Sequence, residues 1–599
     1  GNPLFVEEML AMLIDDGLLR FEDGAWRSVE DLANVTVPPT IHLLLAARLD
    51  RLDTEERAVI ERGAVEGKVF HAGAVTTLSP QTVRPHVRSR LLALARKELI
   101  RPDRPEFAGE DAFRFRHLLI RDAAYQAMPK EQRAELHERF AGWLAEAARD
   151  RIVEYEEILA HHLEQAYRYR VELGAPDDRA RELAARAAEH LYLSAVRADE
   201  RADLASARSL LERIDELGDE GYRARALLRL SELLPELGEY AEAHETAVRA
   251  VAAADAVGDR ASALRAELVR ILNRGSIDPA RTLATGRQEI EAVLAEAERL
   301  DQAEVRDRAV LALTLIAFWV GKSAEAIAML DELSDRVSAM TRRDRSEVAA
   351  QLVICSFFGS VPVDAAFTIL DRAAQMRGDT LIGEAHDVRV RGGILAFAGR
   401  FDEAHEAAER ATALYQDLGA PAIGVTTNQV TADAMLLEGR PEDAERILRE
   451  MHELYESMGE TGFNSTVCGV LARALCDQGR FDEAEQFVER SRAMTAEDDF
   501  ASQGEWRMAQ ARVLAERGST EEALALADEA TAIVDNTDYL NMQGAGHEIR
   551  GQILVAAGRG DDARVAFGEA LDRYERKGNV VAAARIRARL DGLAIDGAV

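Results

Sequence analysis

Along most of the chain, apolar positions cluster at helical spacing, and the clusters are broken at regular intervals by a glycine followed by acidic residues. The segments Gly399-Arg-Phe-Asp-Glu-Ala404, Gly439-Arg-Pro-Glu-Asp-Ala444, Gly479-Arg-Phe-Asp-Glu-Ala484, Gly518-Ser-Thr-Glu-Glu-Ala523 and Gly558-Arg-Gly-Asp-Asp-Ala563 recur every 39 or 40 residues. Each predicts a helix, a tight turn and another helix. Glycine ends the first helix in a left-handed conformation, the acids favour the next N-terminus, and alanine lets the two helices approach closely. Weaker copies at Gly238 with Ala243, Gly275 with Ala280, Gly321 with Ala326 and Gly359 with Ala365 keep spacings of 37 to 46 residues, and a further unit is expected near Ala202 with Ala207. Nine or ten such units, each burying its apolar stripe only against its neighbours, predict one superhelix with a broad concave face.

Residues 1 to 140 follow another pattern. Pro3 to Asp16 reads as an amphipathic helix capped by Asn2, with Pro3 at its first position, where the missing N–H costs nothing. Asp23-Gly24 turns a short hairpin between Leu19-Arg-Phe21 and Ala25-Trp-Arg27. Helices are predicted over 41–51, 54–65, 71–78 and Thr82–Lys97, and the strand-like Leu99–Arg101 and Phe113–Arg116 flank an acidic turn at Gly109-Glu-Asp111. Helices with a two-stranded wing describe a winged helix.

Composition agrees with a helical reading. Of 599 residues 47% are hydrophobic and 6% aromatic, with 14 prolines. The net charge of -33 is uneven: residues 51–150 carry 18 basic against 16 acidic residues, so the acidity lies in the remainder, which repels nucleic acid. Cys355, Cys468 and Cys476 are odd in number and form no CxxC pair, which speaks against a disulfide framework or zinc site and for a reducing cytoplasm. No apolar run approaches the length of a membrane span, and the first residues lack the pattern of a signal peptide. The start at Gly1 rather than Met is read as that of a fragment whose upstream domains are missing.

The repeating unit resembles the tetratricopeptide repeat, whose Gly-x-Tyr/Phe-x-x-Ala core is matched at Phe401, Phe481 and Tyr240; the period of about 40 exceeds the usual 34 and is similar to the lengthened repeats of maltose-activator-type regulators. Gly1-Asn2-Pro3-Leu4 resembles the Gly-x-Pro motif of signal-transducing P-loop ATPases, in which the proline packs on adenine. Taken alone these four residues are equally a helix start. Phe115-Arg-His-Leu-Leu-Ile-Arg-Asp-Ala-Ala-Tyr125 resembles the Met-His-Asp region of the same family, with His117 in the histidine position and Leu118 departing from the motif's Asp. The resemblance implies that His117 contacts the β-phosphate of ADP, a role that suits an imidazole N–H; taken singly, a histidine in this setting is more often a satisfied buried one. The block from Val37-Pro-Pro39 to Trp143 is similar to proteins, many of them actinobacterial, in which a class III nucleotidyl cyclase or another effector precedes ATPase, winged helix and repeats.

Other motifs read as structural. Gly321-Lys-Ser323 mimics a phosphate-binding loop, but Ile316 stands where the first glycine belongs and the segment coincides with a repeat turn. The Thr82–Lys97 helix carries Arg84, His86, Arg88, Arg90, Arg96 and Lys97, beside a core stripe of Val83, Val87, Leu91, Leu92 and Leu94. Glu157, His161, His162 and Glu164 lack a His-Glu-x-x-His spacing and lie among Ile158, Leu159 and Leu163, so packing is the expected role. Phe318, Trp319, Phe357 and Phe358 are expected in the core rather than on a ligand platform, and no nucleophile is paired with a base.

The expectation is therefore an all-α chain: 1–38 the end of an ATPase helical region, 39–145 a winged-helix domain, 146–200 a helical connector and 201–599 the repeat superhelix. No catalytic constellation or metal site is expected. Pro3 and His117 are the candidate nucleotide contacts, with ATP or ADP held by the full-length parent and no cofactor within this chain. The expected partners are a protein or small molecule on the superhelix and upstream ATPase and effector domains, in the cytoplasm, with neither membrane nor nucleic acid. The functional reading is the sensing portion of a bacterial signalling ATPase. The alternatives are a free-standing tetratricopeptide scaffold and, third, a DNA-binding regulator.

Overall fold

The computed structural model describes residues 9–10, 13–14, 19–22, 25–28, 41–201, 203–378, 380–418 and 421–596. Pro3 and most of the helix expected over Pro3–Asp16 lie outside them. The chain divides into two compact units, 1–226 and 227–599.

In the first unit, β1 (Leu19–Glu22) and β2 (Ala25–Ser28) pair antiparallel as the Asp23-Gly24 turn predicts. Helices α1 (Ile41–Asp50) and α2 (Thr54–Glu66) follow, then β3 (Val69–His71), α3 (Ala72–Leu78), α4 (Val87–Arg96), β4 (Ile100–Asp103), β5 (Ala112–Phe115) and α5 (Leu118–Gln126). The sheet has the order β3-β5-β4, antiparallel throughout, and packs Phe70, Phe113 and Phe115 against Val59, Ile60, Leu91, Leu94 and Ile120. Strand β3 was not foreseen: it is three residues long, too short for its alternation to stand out. The helix expected over Thr82–Lys97 is also corrected. Its first part is a 3₁₀ turn at Arg84–His86 and the α-helix begins only at Val87, because Pro85 has no N–H and is tolerated only in a first turn. Of its expected core stripe, Val83, Val87, Leu91 and Leu94 are buried and Leu92 is exposed.

The second unit is a succession of helical hairpins. Gly399, Gly439, Gly479, Gly518 and Gly558 all have φ between 72° and 86°, the left-handed region in which a side chain is strained, and Ala404, Ala444, Ala484, Ala523 and Ala563 are buried where paired helices meet. The arginine after the glycine adds an ion pair to the acid three residues on, as in Arg400–Glu403, Arg440–Asp443, Arg480–Glu483 and Arg559–Asp562. These pairs are solvent-exposed and fix turn geometry more than they stabilise. Two weaker copies differ from expectation. Gly275 lies inside the helix Arg260–Ile277 against Trp319, Ala280 is exposed, and the break falls instead at Asp278-Pro279. At the other, Gly359 has extended backbone and Ala366, not Ala365, is the buried alanine.

The repeats do not contact only their neighbours. The Thr461 N–H donates to Ser276 O at 3.0 Å, the Asp538 N–H to Gly321 O at 2.9 Å, and the Tyr539 hydroxyl to Phe318 O at 2.5 Å. These links span 185 to 221 residues, about five hairpins, so one superhelical turn rests on the next. Two side chains complete helix ends across this seam. The Asp538 carboxylate accepts from the Ser323 and Ala324 N–H groups at 3.1 and 2.5 Å, capping the helix Ser323–Ser334. The Lys577 ammonium donates to Ser356 O, Gly359 O and Val361 O at 2.8, 2.7 and 2.9 Å, closing the C-terminal end of Arg342–Phe358. The Gly321-Lys-Ser323 resemblance to a phosphate loop is thus a repeat turn, its anion position filled by Asp538.

Asp538→Ala is expected to cost about 1–2 kcal/mol, the value of a lost helix cap, and to hasten amide exchange across 321–326. Unchanged exchange there would show that the seam does not depend on this cap.

Candidate functional site

The first helices of seven successive hairpins, Arg342–Phe358, Leu381–Phe397, Gln429–Glu438, Gly462–Asp477, Phe500–Glu516, Leu540–Ala556 and Val580–Asp596, line a cavity of about 340 Å³ within the second unit. Its wall alternates apolar rings with charge. Phe357, Phe358, Phe397 and Tyr539 form an aromatic side, Phe357 stacking on Phe397 at 4.9 Å and meeting Phe358 edge-on at 4.8 Å. Phe358 is half-buried and faces the cavity, so the expectation of a purely core role fits Phe357 better than its neighbour.

The charged wall follows from the repeat. Asp433, Arg473, Arg512 and Gln552 succeed one another at 39- or 40-residue spacing, so a shared helix position points each of them inward. Three ion-pair groups result. Glu548 is held by Nε and Nη2 of Arg585 at 3.0 and 2.8 Å, accepts from the Tyr574 hydroxyl at 3.1 Å, and has Arg589 at 3.8 Å. Asp477 pairs with Arg512 at 2.6 Å. Arg473 stands between two acids, 3.3 Å from Glu505 and 3.7 Å from Asp433. Burial pushes Asp433 up to about 7, with Glu505 adding to the rise and Arg473 opposing it. Burial raises Glu505 too, again against Arg473. Gly469 allows the approach: a Cβ there would lie 2.7 Å from that of Glu505.

None of these residues was singled out from the sequence. The signal was present as an ionisable residue recurring at one repeat position inside otherwise apolar helices, as in Ala432-Asp-Ala-Met435 and Ala472-Arg-Ala-Leu475. What it lacked was the seam, which brings the Phe357-Phe358 segment and Tyr539 to the same chamber.

His117 caps α5. Its Nδ1 accepts from the Leu119 N–H at 3.2 Å, and the side chain is half-buried. The Arg-rich segment is largely satisfied internally: Arg90 pairs with Asp53 and Glu55, Arg88 with Asp111, Lys97 with Glu56, and Arg84 donates to Ser79 O. Of the residues weighed as metal ligands, Glu164 pairs with Arg213 and Arg168, while His162 Nδ1 meets His137 Nδ1 at 2.8 Å; His137 Nε2 in turn meets the Tyr125 hydroxyl at 2.6 Å. Burial pushes His137 down to about 3 and lowers His162, so both rings are neutral. Leu159 and Leu163 are buried beside them, and Ile158 is exposed. Among the described residues no group of three or more His, Cys, Asp or Glu is placed to hold a metal ion, and no helix is long and apolar enough to cross a membrane. All three cysteines are buried thiols.

This architecture is an all-α tetratricopeptide-like solenoid. Residues 408–595 match the family model of a tetratricopeptide repeat-like domain. No curated protein sequence matches the chain. Similar solved structures include a Rap protein complexed with competence and sporulation factor, 14% identical over 56% of this chain and 98% of that one, with a TM-score of 0.36. The Cut9–Hcn1 hetero-tetramer of APC/C is 15% identical over 79% of this chain and 93% of that one, at 0.42. A signal transduction ATPase with numerous domains from Pyrococcus horikoshii, which carries a tetratricopeptide repeat sensor, is 13% identical over 90% of this chain and 66% of that one, at 0.34.

Proposed function

We propose that this chain is the ligand- or partner-sensing portion of a multidomain bacterial signalling ATPase acting in the cytoplasm. The observation that carries the sensing role is the chamber, where ionisable side chains from successive repeats converge on a cavity instead of being spread over solvated faces. Occupation of the chamber would favour one arrangement of the hairpins, and residues 39–145 would relay that preference to nucleotide exchange in an upstream ATPase domain and to its effector, a class III nucleotidyl cyclase being one candidate. Such coupling requires the ligand to bind one state more tightly than the other.

The β4–β5 hairpin beside α2, α4 and α5 supports the winged-helix reading of residues 39–145. For nucleotide contact, His117 has a suitable tautomer. With Nδ1 accepting from Leu119, the neutral ring carries its proton on Nε2, the donor a phosphate needs. Pro3, its companion in the family resemblance, lies outside the described residues. The DNA-binding reading is weakened because Arg88, Arg90 and Lys97 are engaged by acids of their own unit. A scaffold that only holds partners remains the second reading, favoured by the exposed helix faces of any such solenoid.

His117→Ala in the full-length parent is expected to weaken ADP retention and raise basal effector output, read as nucleotide occupancy of the purified protein and effector turnover. Wild-type occupancy and output in this variant would remove the nucleotide role from His117.

A further inference from the structure

The chamber is not evenly compensated, and the imbalance bears on what it takes; this inference rests on the sensing role proposed above. At two of its three charge groups every acid has its own cation: Glu548 is gripped by Arg585 with Arg589 beside it, and Asp477 by Arg512. At the third, Arg473 serves both Asp433 and Glu505. Its Nη1 reaches Glu505 Oε1 at 3.3 Å, and Asp433 is farther away at 3.7 Å. Glu505 is 3% exposed, and its second oxygen, Oε2, has no hydrogen-bond partner in the protein. A buried carboxylate oxygen without a donor is costly, and one guanidinium cannot neutralise two carboxylates. Both acids line the same cavity as the aromatic face of Phe357, Phe358 and Tyr539, which suits the flank of a weakly hydrated cation.

We infer that the chamber binds a ligand through one protonated amine or guanidinium, seated between Asp433 and Glu505 Oε2, with the ligand's apolar stem against the aromatic side. A volume of about 340 Å³ admits a free alkyl amine or a short peptide presenting arginine or lysine, and the recognition chemistry is the same for both. The charged groups that face the cation are Asp433, Glu505 and Arg473, with Asp477, Arg512, Glu548, Arg585 and Arg589 around the remaining wall. Because Asp433 loses its proton near pH 7, affinity rises from pH 6 to pH 8 while the probe keeps its charge.

The test is titration calorimetry of the whole chain with butylguanidinium, acetyl-arginine amide, acetyl-glutamine amide and acetyl-glutamate amide. Acetyl-arginine amide is expected to bind at least tenfold more tightly than the glutamine analogue, and at least tenfold more weakly to Glu505→Gln, an isosteric change whose fold is checked by circular dichroism. Asp433→Asn is expected to remove the pH dependence. Equal affinity for butylguanidinium identifies a free alkyl cation as the source, and preference for acetyl-arginine amide a peptide; both support the inference. A neutral or anionic probe that binds as well as the cationic ones, or cation binding undiminished in Glu505→Gln, overturns it and leaves the sensing role standing. If no probe binds and Ala545→Trp, which fills the cavity, leaves the parent's ligand response intact, the sensing role of the chamber falls with it.

Discussion

Replacing Lys577 with methionine is expected to open the seam between superhelical turns, at a cost on the order of 3–5 kcal/mol. Lys577 is 1% exposed, lies 218 residues from Gly359, and satisfies three backbone carbonyls at the end of a helix it does not belong to. Burial pushes its ammonium down to about 7, with Asp538 opposing. Methionine keeps the length and volume of the side chain but donates nothing, so three carbonyls, two of them in fully buried bonds, lose this donor. The measurement is hydrogen exchange, since a long repeat array need not unfold as one unit. Amides across 356–363 and 574–582 are expected to exchange at least a hundredfold faster than in the wild type, with partial recovery in Lys577→Arg. Equal protection in the wild type and Lys577→Met would show that the seam does not depend on this lysine.

Between pH 4 and pH 7 the second unit is expected to lose stability because of Asp433, and Asp433→Asn to abolish that part of the loss. The folded pKa of Asp433 is raised to about 7 from 3.8. In that window the folded state holds a proton the unfolded state has released, so stability falls as pH rises and is flat again above the folded value. The shift corresponds to roughly 4 kcal/mol for this one group. Glu460, raised to about 7 by burial although it accepts from the Phe463 and Asn464 N–H groups, titrates in the same window and sets the background against which the variant is compared. The measurement is chemical denaturation at pH 4.5, 6 and 7.5. Parallel pH profiles for wild type and Asp433→Asn would place Asp433 in water rather than in the chamber wall, and with it would go the basis for a cation site.

The two expectations sit on one structural fact. A solenoid whose hairpins met only their sequence neighbours would have an open concave face, and an acid on it would be solvated. Here successive turns close on each other, so the same acid is half-buried in a chamber wall and the same lysine has somewhere to be bound. The expectation of neighbour-only packing came from the apolar stripes, which are complete within each hairpin pair. The seam adds ring contacts of Phe318 and Phe358 with Tyr539 and of Trp319 with Phe463, together with backbone carbonyls, one aspartate, one lysine and the Tyr539 hydroxyl, none of them marked by the repeat pattern.

The resemblance-based residues fare differently from the repeats. His117 is found capping a helix, a place its sequence neighbours do imply, since it immediately precedes the apolar-periodic run beginning at Leu118. Its partner Pro3 is outside the described residues. The turn at Arg84–His86 shows the opposite failure: the spacing of Val83, Val87, Leu91 and Leu94 is helical throughout, and the single proline overrides it.

By itself the sequence determined the hairpin. Glycine in the left-handed region, acids in the next first turn and alanine at the crossing are local requirements, each met within about ten residues, and they recur with a period that leaves only a helical solenoid. Only the tertiary structure decided which polar residues matter. The superhelical pitch brings residues 185 to 221 positions apart into contact. It places Phe358 and Tyr539 around the same cavity as Asp433 and Glu505, whose second oxygen is left unpaired. Pitch is the sum of many small crossing angles between helices, and no single repeat encodes it.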